Sequence, residues 1–394
     1  MKLGYKRLGD YIQLVDERNR NLEVNNLLGI SVTKNFIPSV ANIIGTDMAN
    51  YKIVRKNQFA CSIMQVRRDK KMPVALYLEN EPSIISQAYP VFKIIDETFL
   101  LPEYLMMWFT RSEFDREACF LAVGGVRGSL EWEDFLNMEL PIPSLEKQKE
   151  LIAEYEVVEN RIQLNKKLCA TLEETAQTIY KHWFEDFEFP DDNGKPYRSS
   201  GGEMVKCEEL GKEVPIGWKM KGITNIAQLS AGGDRPEIYS EIKTDKCPVP
   251  IYSNGVTDDG LYGFTDAAKI TKKCITISAR GTIGFCVLRE EPFVPIVRLI
   301  VVTPKNEEIG KYLFDYLNRF EFDDSGSVQN QLTVPQLSMK NILIPDSSLI
   351  KNYDELTKKL LKKIKLINSQ TQKLEELKSL LLEKMAVGEL KFII

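Results

Sequence analysis

Two stretches of this chain, 202 residues apart, carry the same helical code. A sequence that writes one unit twice is confined to folds with two similar halves. Pro143 begins one copy and Pro345 the other. Arg161-Ile162-Gln163-Leu164 answers to Lys363-Ile364-Lys365-Leu366, and Leu172-Glu173-Glu174 to Leu374-Glu375-Glu376. The register runs back into the preceding sequence, pairing Gly124 with Gly326, Leu130 with Leu332, Phe135 with Leu337 and Ile142 with Ile344. Two similar surfaces in a pseudo-twofold arrangement suit a ligand that itself has two similar halves.

After Pro143 the pattern turns helical, with Ser144 placed to cap the first turn. Tyr155, Val158, Ile162, Asn165, Cys169, Leu172, Ala176, Ile179 and Trp183 then follow an alternating spacing of three and four. The second copy places Thr357, Leu360, Ile364, Ile367, Thr371, Leu374, Lys378, Leu381 and Met385 in the same register. Each set is a heptad seam held for about four heptads, on a helix of roughly 50–60 Å. Residues 144–189 hold 6 basic and 10 acidic side chains, whereas 346–394 hold 10 and 7. Opposite charge and matching seams favour packing of one helix on the other, as an intramolecular antiparallel coiled coil. Asn165, Thr371 and Lys378 weaken the seam and fix its register. The plainer alternative is a pair of amphipathic helices in separate cores.

The chain divides on this pattern into 1–143, a first helical repeat 144–189, a connector 190–217, a second domain 218–345 and a second helical repeat 346–394. The connector is polar and rich in Gly, Pro and Ser, which reads as a flexible link. Both domains show short β-branched runs broken by turn residues. In the first domain these are Tyr51–Val54, Val74–Leu78 and Tyr89–Ile94; in the second, Val249–Gly255, Cys274–Ser278 and Val297–Val302. Each domain also carries a helix, Pro102–Arg111 matching Gly310–Arg319. The expected class is α+β: two mixed α/β domains in pseudo-twofold arrangement, separated by the two long helices.

With 394 residues the chain is long enough for two or more cores. It lacks an apolar run long enough for a membrane span, and its N-terminus lacks the apolar stretch of a signal peptide. Seven cysteines, at 61, 119, 169, 207, 247, 274 and 286, are scattered without CxxC spacing, as expected of reduced thiols in a cytoplasmic protein. His182 is the only histidine, which excludes His-based triads and paired-His zinc sites. The sequence contains no phosphate-loop motif, no amino-methyltransferase signature and no dinucleotide fingerprint. Glu237 and Glu241-Ile242-Lys243 resemble a nuclease carboxylate set only superficially, since the gap is a few residues. Catalysis by this chain alone is therefore not expected. Net charge is −4, but the acid gathers in 144–217, with 10 basic against 16 acidic residues. Residues 1–143 hold 17 against 18 and 218–345 hold 15 against 15, a balance that leaves room for a basic face.

Several stretches resemble one family. They are the helix start Leu140–Lys149 (LPIPSLEKQK), the run Trp183–Gly202 (WFEDFEFPDDNGKPYRSSGG), Ile251-Tyr252-Ser253-Asn254-Gly255 and Ala279-Arg280-Gly281-Thr282-Ile283-Gly284. On these residues, and on two variable domains alternating with two helical repeats, the chain resembles type I restriction–modification specificity subunits over essentially its full length. The resemblance implies two target-recognition domains, each binding one half of a split double-stranded DNA target. It further implies that the paired helices hold the halves about one duplex turn apart, roughly 34–36 Å, and dock the methyltransferase subunits, commonly two. A restriction and translocase subunit would join through them. S-adenosylmethionine, ATP and Mg²⁺ would belong to these partners, with no cofactor or metal on this chain.

DNA reading asks for Arg or Lys at phosphates and for Arg, Asn or Gln at base edges. Arg67, Arg68, Lys70 and Lys71 form the densest basic run of the first domain, at what reads as a hairpin tip between strands. The glycine-led loops Gly124–Leu130, with Arg127, and Gly326–Leu332, with Gln329, Asn330 and Gln331, occupy the same place in the two copies. Their side chains differ, as separate half-sites require. Arg280, between Ala279 and Gly281, and Asn254 are candidates in the second domain, although Asn254-Gly255 is also an ordinary turn dipeptide. A competing reading keeps the coiled coil and drops the DNA: a scaffold assembling partner proteins, which needs Ile162 but neither Arg127 nor Arg280.

Overall fold

A computed structural model describes residues 5–39, 47–123, 128–320 and 331–386. The chain divides into two units, one within 1–166 together with 368–394 and the other within 167–367. Among the described residues no helix is long and apolar enough to cross a membrane.

In the first unit an antiparallel sheet runs in the order Ile12–Val15, Val91–Ile94, Gln58–Cys61, Val74–Leu76. Alternation along these strands gives the sheet two apolar faces. Phe59, Cys61, Phe92 and Ile94 turn to the main core, which also holds Leu105, Trp108 and Phe109 of the helix Pro102–Thr110. Phe59 stacks on Phe92 at 5.0 Å, and Phe109 meets both rings edge-on. Ala60 and Val91 turn the other way, onto Val54, Ile85 and Tyr77. A second sheet supplies that layer, in the order Phe36–Pro38, Leu27–Ile30, Ser83–Ile85, Lys52–Val54, with the middle pair parallel.

The second unit repeats this plan. Its antiparallel sheet runs Ala227–Ala231, Ile300–Pro304, Cys274–Ile277, Cys286–Arg289. Its other sheet runs Leu261–Thr265, Val249–Tyr252, Val294–Pro295, and the last pair is again parallel. The strand before each long helix pairs with an early strand of its own unit, Glu139–Pro141 with Tyr5–Arg7 and Asn341–Ile344 with Lys219–Gly222. The helix Gly310–Asn318 stands where Pro102–Thr110 stands in the first unit.

Two expectations are corrected. Val297–Val302 is not one strand: the chain leaves the smaller sheet after Pro295 and joins the larger at Ile300, and Val297 and Arg298 between them adopt φ of 52° and 59°. Nor is 190–217 a loose link. Tyr197 stacks on Phe189 at 4.6 Å and Phe189 on the buried Trp218 at 5.6 Å. Asp191 accepts from the backbone of Asn193 and Lys195, and Met204–Cys207 forms a hairpin with Lys212–Pro215. The polar composition hid aromatic anchors at its ends.

The long helices span Leu145–Tyr180 and Ser347–Lys384. At the first helix start the buried Gln148 accepts from Leu101 N and donates to Phe99 O and Pro143 O, tying helix to core. All eighteen seam residues are buried or half-buried. In the first unit Val158 and Ile162 pack with Leu374 and Leu381, while Leu151 and Tyr155 join Leu382 and Met385 in the main core. In the second, Cys169 and Leu172 pack with Ile364 and Ile367, and Tyr180 with Tyr353. Ile179 is half-buried against that same core, and Leu360 is half-buried on its helix. Low numbers on one helix meet high numbers on the other. A π-helical turn at Lys181–Glu185 then rotates the stripe, so Tyr180 and Phe184 are more deeply buried than Trp183.

The polar seam positions find partners across the helix pair. Asn165, 2% exposed, donates to Thr371 Oγ1 at 3.1 Å and Gln370 Oε1 at 3.3 Å. Lys378 donates to Glu159 at 2.6 Å. Burial opposes that ammonium's charge, yet Glu159 and Tyr155 hold its pKa above the ordinary lysine range. Ile162→Ala should cost about 2–5 kcal/mol of unfolding free energy, whereas the exposed Val157→Ala should change it by under about 0.5 kcal/mol, as denaturant titration would show.

Candidate nucleic-acid interface

Arg280 in one unit, and Arg67, Arg68, Lys70 and Lys71 in the other, lie where the third and fourth strands of the antiparallel sheet connect. In the second unit this connection is a tight turn. Ser278 N donates to Phe285 O at 2.9 Å and Gly284 N to Ser278 O at 3.0 Å, with Gly281 and Gly284 at φ of +70° and +85°. Glycine permits that left-handed backbone, and the turn lifts Arg280 into solvent. Arg280 Nη2 donates to Gln331 Oε1 at 2.9 Å, and Leu332 N donates to Ala279 O at 3.0 Å. Two residues nominated from separate motifs, Arg280 and Gln331, are thereby brought together.

In the first unit the same connection carries Arg67, Arg68, Lys70 and Lys71, all exposed. This connection of two antiparallel strands holds a short helix, Val66–Asp69, flanked by Gln65 and Lys70 at φ of 69° and 53°. Leu130 N donates to Ile63 O at 2.9 Å, repeating, 202 residues earlier, the bond that Leu332 makes. Arg67 N also donates to Gly128 O at 3.1 Å, so close that a Cβ on Gly128 would lie 2.4 Å from that of Arg67. Arg68 pairs with Asp69 at 2.8 Å. Arg127, Gln329 and Asn330 lie outside the described residues.

A polar side chain from a hairpin of the other sheet bonds each connection, directly in the second unit and through Asp115 in the first. In the second unit it is Asn254, which has a structural role as well. Its Oδ1 accepts from Ala279 N and its Nδ2 donates to Val297 O, each at 2.7 Å. Both ends of the carboxamide are engaged within the protein, so Asn254 clamps the connection to Val297. In the first unit the anchor is Lys34, buried and paired with Asp115 at 2.8 Å, its Nζ also over the Phe114 ring. Asp115 in turn accepts from Met72 N at 3.0 Å, next to Lys71. Burial pulls the Lys34 pKa down, with the Asp115 carboxylate opposing.

Arg298, Arg235 and Lys269 are exposed basic residues that the motifs do not single out. Arg298 was hidden inside an apparent strand; the unbroken run Phe293–Val302, longer than most strands, was the available signal. Arg235 lies over the Tyr239 ring. Lys269 Nζ lies 3.6 Å from where a Cβ on Gly233 would be. Among the described residues no group of three or more His, Cys, Asp or Glu is placed to hold a metal ion.

Comparison with known proteins now bears on these features. The sequence model of the type I restriction modification DNA specificity domain matches residues 43–174 and 215–378. The chain is similar to the type I restriction enzyme MjaIX specificity subunit of Methanocaldococcus jannaschii, 24% identical over 323 residues, covering 76% of this chain and 71% of that one. It is 20% identical over 383 residues to the type I restriction enzyme HindI specificity subunit of Haemophilus influenzae, covering 80% and 83%. A crystal structure of a type I restriction–modification system S subunit from M. genitalium shares the fold, with a TM-score of 0.61 at 16% identity, over 97% of this chain and 95% of that one.

Lys34→Met should cost about 3–5 kcal/mol by removing one partner of a buried pair. Denaturant titration of the full chain measures this, and amide exchange at Met72 should rise before exchange in Val91–Ile94.

Proposed function

This chain belongs to the type I restriction modification DNA specificity family, and we propose that it is the sequence-reading subunit of a type I restriction–modification complex. Each unit reads one half of a bipartite double-stranded DNA target. The observation that carries this is the repeated bond of Leu130 to Ile63 and of Leu332 to Ala279, which in each unit ties an equivalent leucine to an arginine-bearing connection. Arginine suits guanine N7 and O6 or phosphate, and carboxamides suit adenine. The same frame carries Arg67, Arg68, Lys70 and Lys71 in one unit but Arg280 and Gln331 in the other, as two different half-sites require.

The long helices form an antiparallel coiled coil that sets the spacing between half-sites and docks methyltransferase subunits, two per chain. Leu164 and Leu366, 202 residues apart in the repeat, are 55% and 72% exposed, apolar positions off the seam that support a partner site present twice. The chain itself is non-catalytic. S-adenosylmethionine, ATP and Mg²⁺ serve the methyltransferase and restriction subunits.

In a complex reconstituted with methyltransferase subunits, DNA should shift in a salt-sensitive way. Arg280→Ala with Gln331→Ala should cost about 1–3 kcal/mol per lost bidentate base contact, at one half-site only, and Arg67→Ala with Arg68→Ala should act at the other. Absence of any DNA-dependent mobility shift at low salt contradicts the reading and favours a DNA-independent scaffold. Leu164→Glu with Leu366→Glu should abolish co-purification of the methyltransferase while leaving the unfolding midpoint within a few degrees.

A further inference from the structure

We propose that the turn Val297–Arg298 is a second base-reading element of the second unit, held in place by Asn254. The inference rests on the DNA-reading function proposed above and names residues which that reading does not need.

Val297 and Arg298 are consecutive non-glycine residues in the left-handed region, at φ of 52° and 59°. A β-branched residue there is a steric outlier, and such strain persists only where the surroundings over-determine it. Here they do. Val297 N donates to Gly233 O at 2.9 Å and Arg298 N to Gly232 O at 3.1 Å, while Ile296 N donates to Tyr252 O and Leu299 N to Ile296 O. A Cβ on Gly232 would lie 2.7 Å from Ile296 N, so only glycine lets the two segments approach. Asn254 Nδ2 closes the set on Val297 O.

What this scaffold presents is solvent-facing. Val297 is 48% exposed, Arg298 is exposed, and among the described residues Arg298 makes no ion pair. The carboxamide that holds Val297 also holds Ala279, so Arg298 and Arg280 each follow a residue bonded to one and the same side chain. A guanidinium so placed suits the O6/N7 edge of guanine, and the valine methyls suit the methyl group of thymine. The corresponding turn of the first unit, 86–90, carries no basic residue and no left-handed residue. The element therefore belongs to one half-site.

The test selects bound sequences from a randomised bipartite DNA library, using the complex of the full chain with methyltransferase subunits. Arg298→Ala should reduce discrimination about tenfold or more at one or two adjacent positions of one half-site, leaving the other unchanged. Val297→Gly, which relieves the left-handed strain, should relax the same half-site without lowering the unfolding temperature. Arg298→Ala with wild-type preference, beside an Arg280→Ala that shifts it, overturns this inference and leaves the DNA-reading function standing. An equal loss of affinity for all sequences, or a Val297→Gly protein that is less stable yet reads normally, overturns it too. Failure of the wild-type complex to select any sequence would instead remove the function on which it rests.

Discussion

The structure depends on an apolar seam between two helices that lie 202 residues apart in sequence. Val158 and Ile162 with Leu374 and Leu381, and Cys169 and Leu172 with Ile364 and Ile367, remove aliphatic surface from water along both units. Apolar contact alone does not choose a register, because a slide of one heptad preserves it. Asn165 on Thr371 and Lys378 on Glu159 choose it. A slide would strand a buried carboxamide, at about 1–3 kcal/mol for the unsatisfied group.

The repeat then carries function by keeping a frame and varying its tips. Both units hold a four-stranded antiparallel sheet and a second sheet with one parallel pair, of four strands in the first unit and three in the second. Both bond the strand connection to the backbone of an equivalent leucine, Leu130 in one unit and Leu332 in the other. The anchors beneath that connection differ in chemistry: a buried Lys34–Asp115 pair in one unit, the Asn254 carboxamide in the other. A conserved geometry built from unlike side chains is what a scaffold selected for shape, with its exposed residues free to change, would show.

The helices were the most legible part of the sequence, because a heptad is a local signal and its buried positions repeat without interruption. Strand existence was also legible, as at Cys274–Ile277 and Val91–Ile94, and so was the equivalence of Pro102–Thr110 with Gly310–Asn318. Non-local events were not. The switch between sheets at Val297–Arg298 depends on Gly232 and Gly233, more than sixty residues away in sequence. The engagement of Asn254 depends on Ala279 and Val297, which no turn dipeptide reveals. The fold of 190–217 depends on stacking of Phe189 and Tyr197 near Trp218, against a polar composition that suggested freedom. The exposure of Arg67, Arg68 and Arg280 was legible in the sequence, and the backbone that positions them was not.

The central claim is that one chain reads two separate half-sites in DNA and directs methylation there. Sequencing the methylated bases of the source cell, with this gene present and with it deleted, tests that claim most directly. The account predicts a methylated motif of two short specific blocks divided by an unspecified spacer, vanishing on deletion. A methylation pattern that is the same in both strains, or a lost motif that is one undivided block, would contradict it.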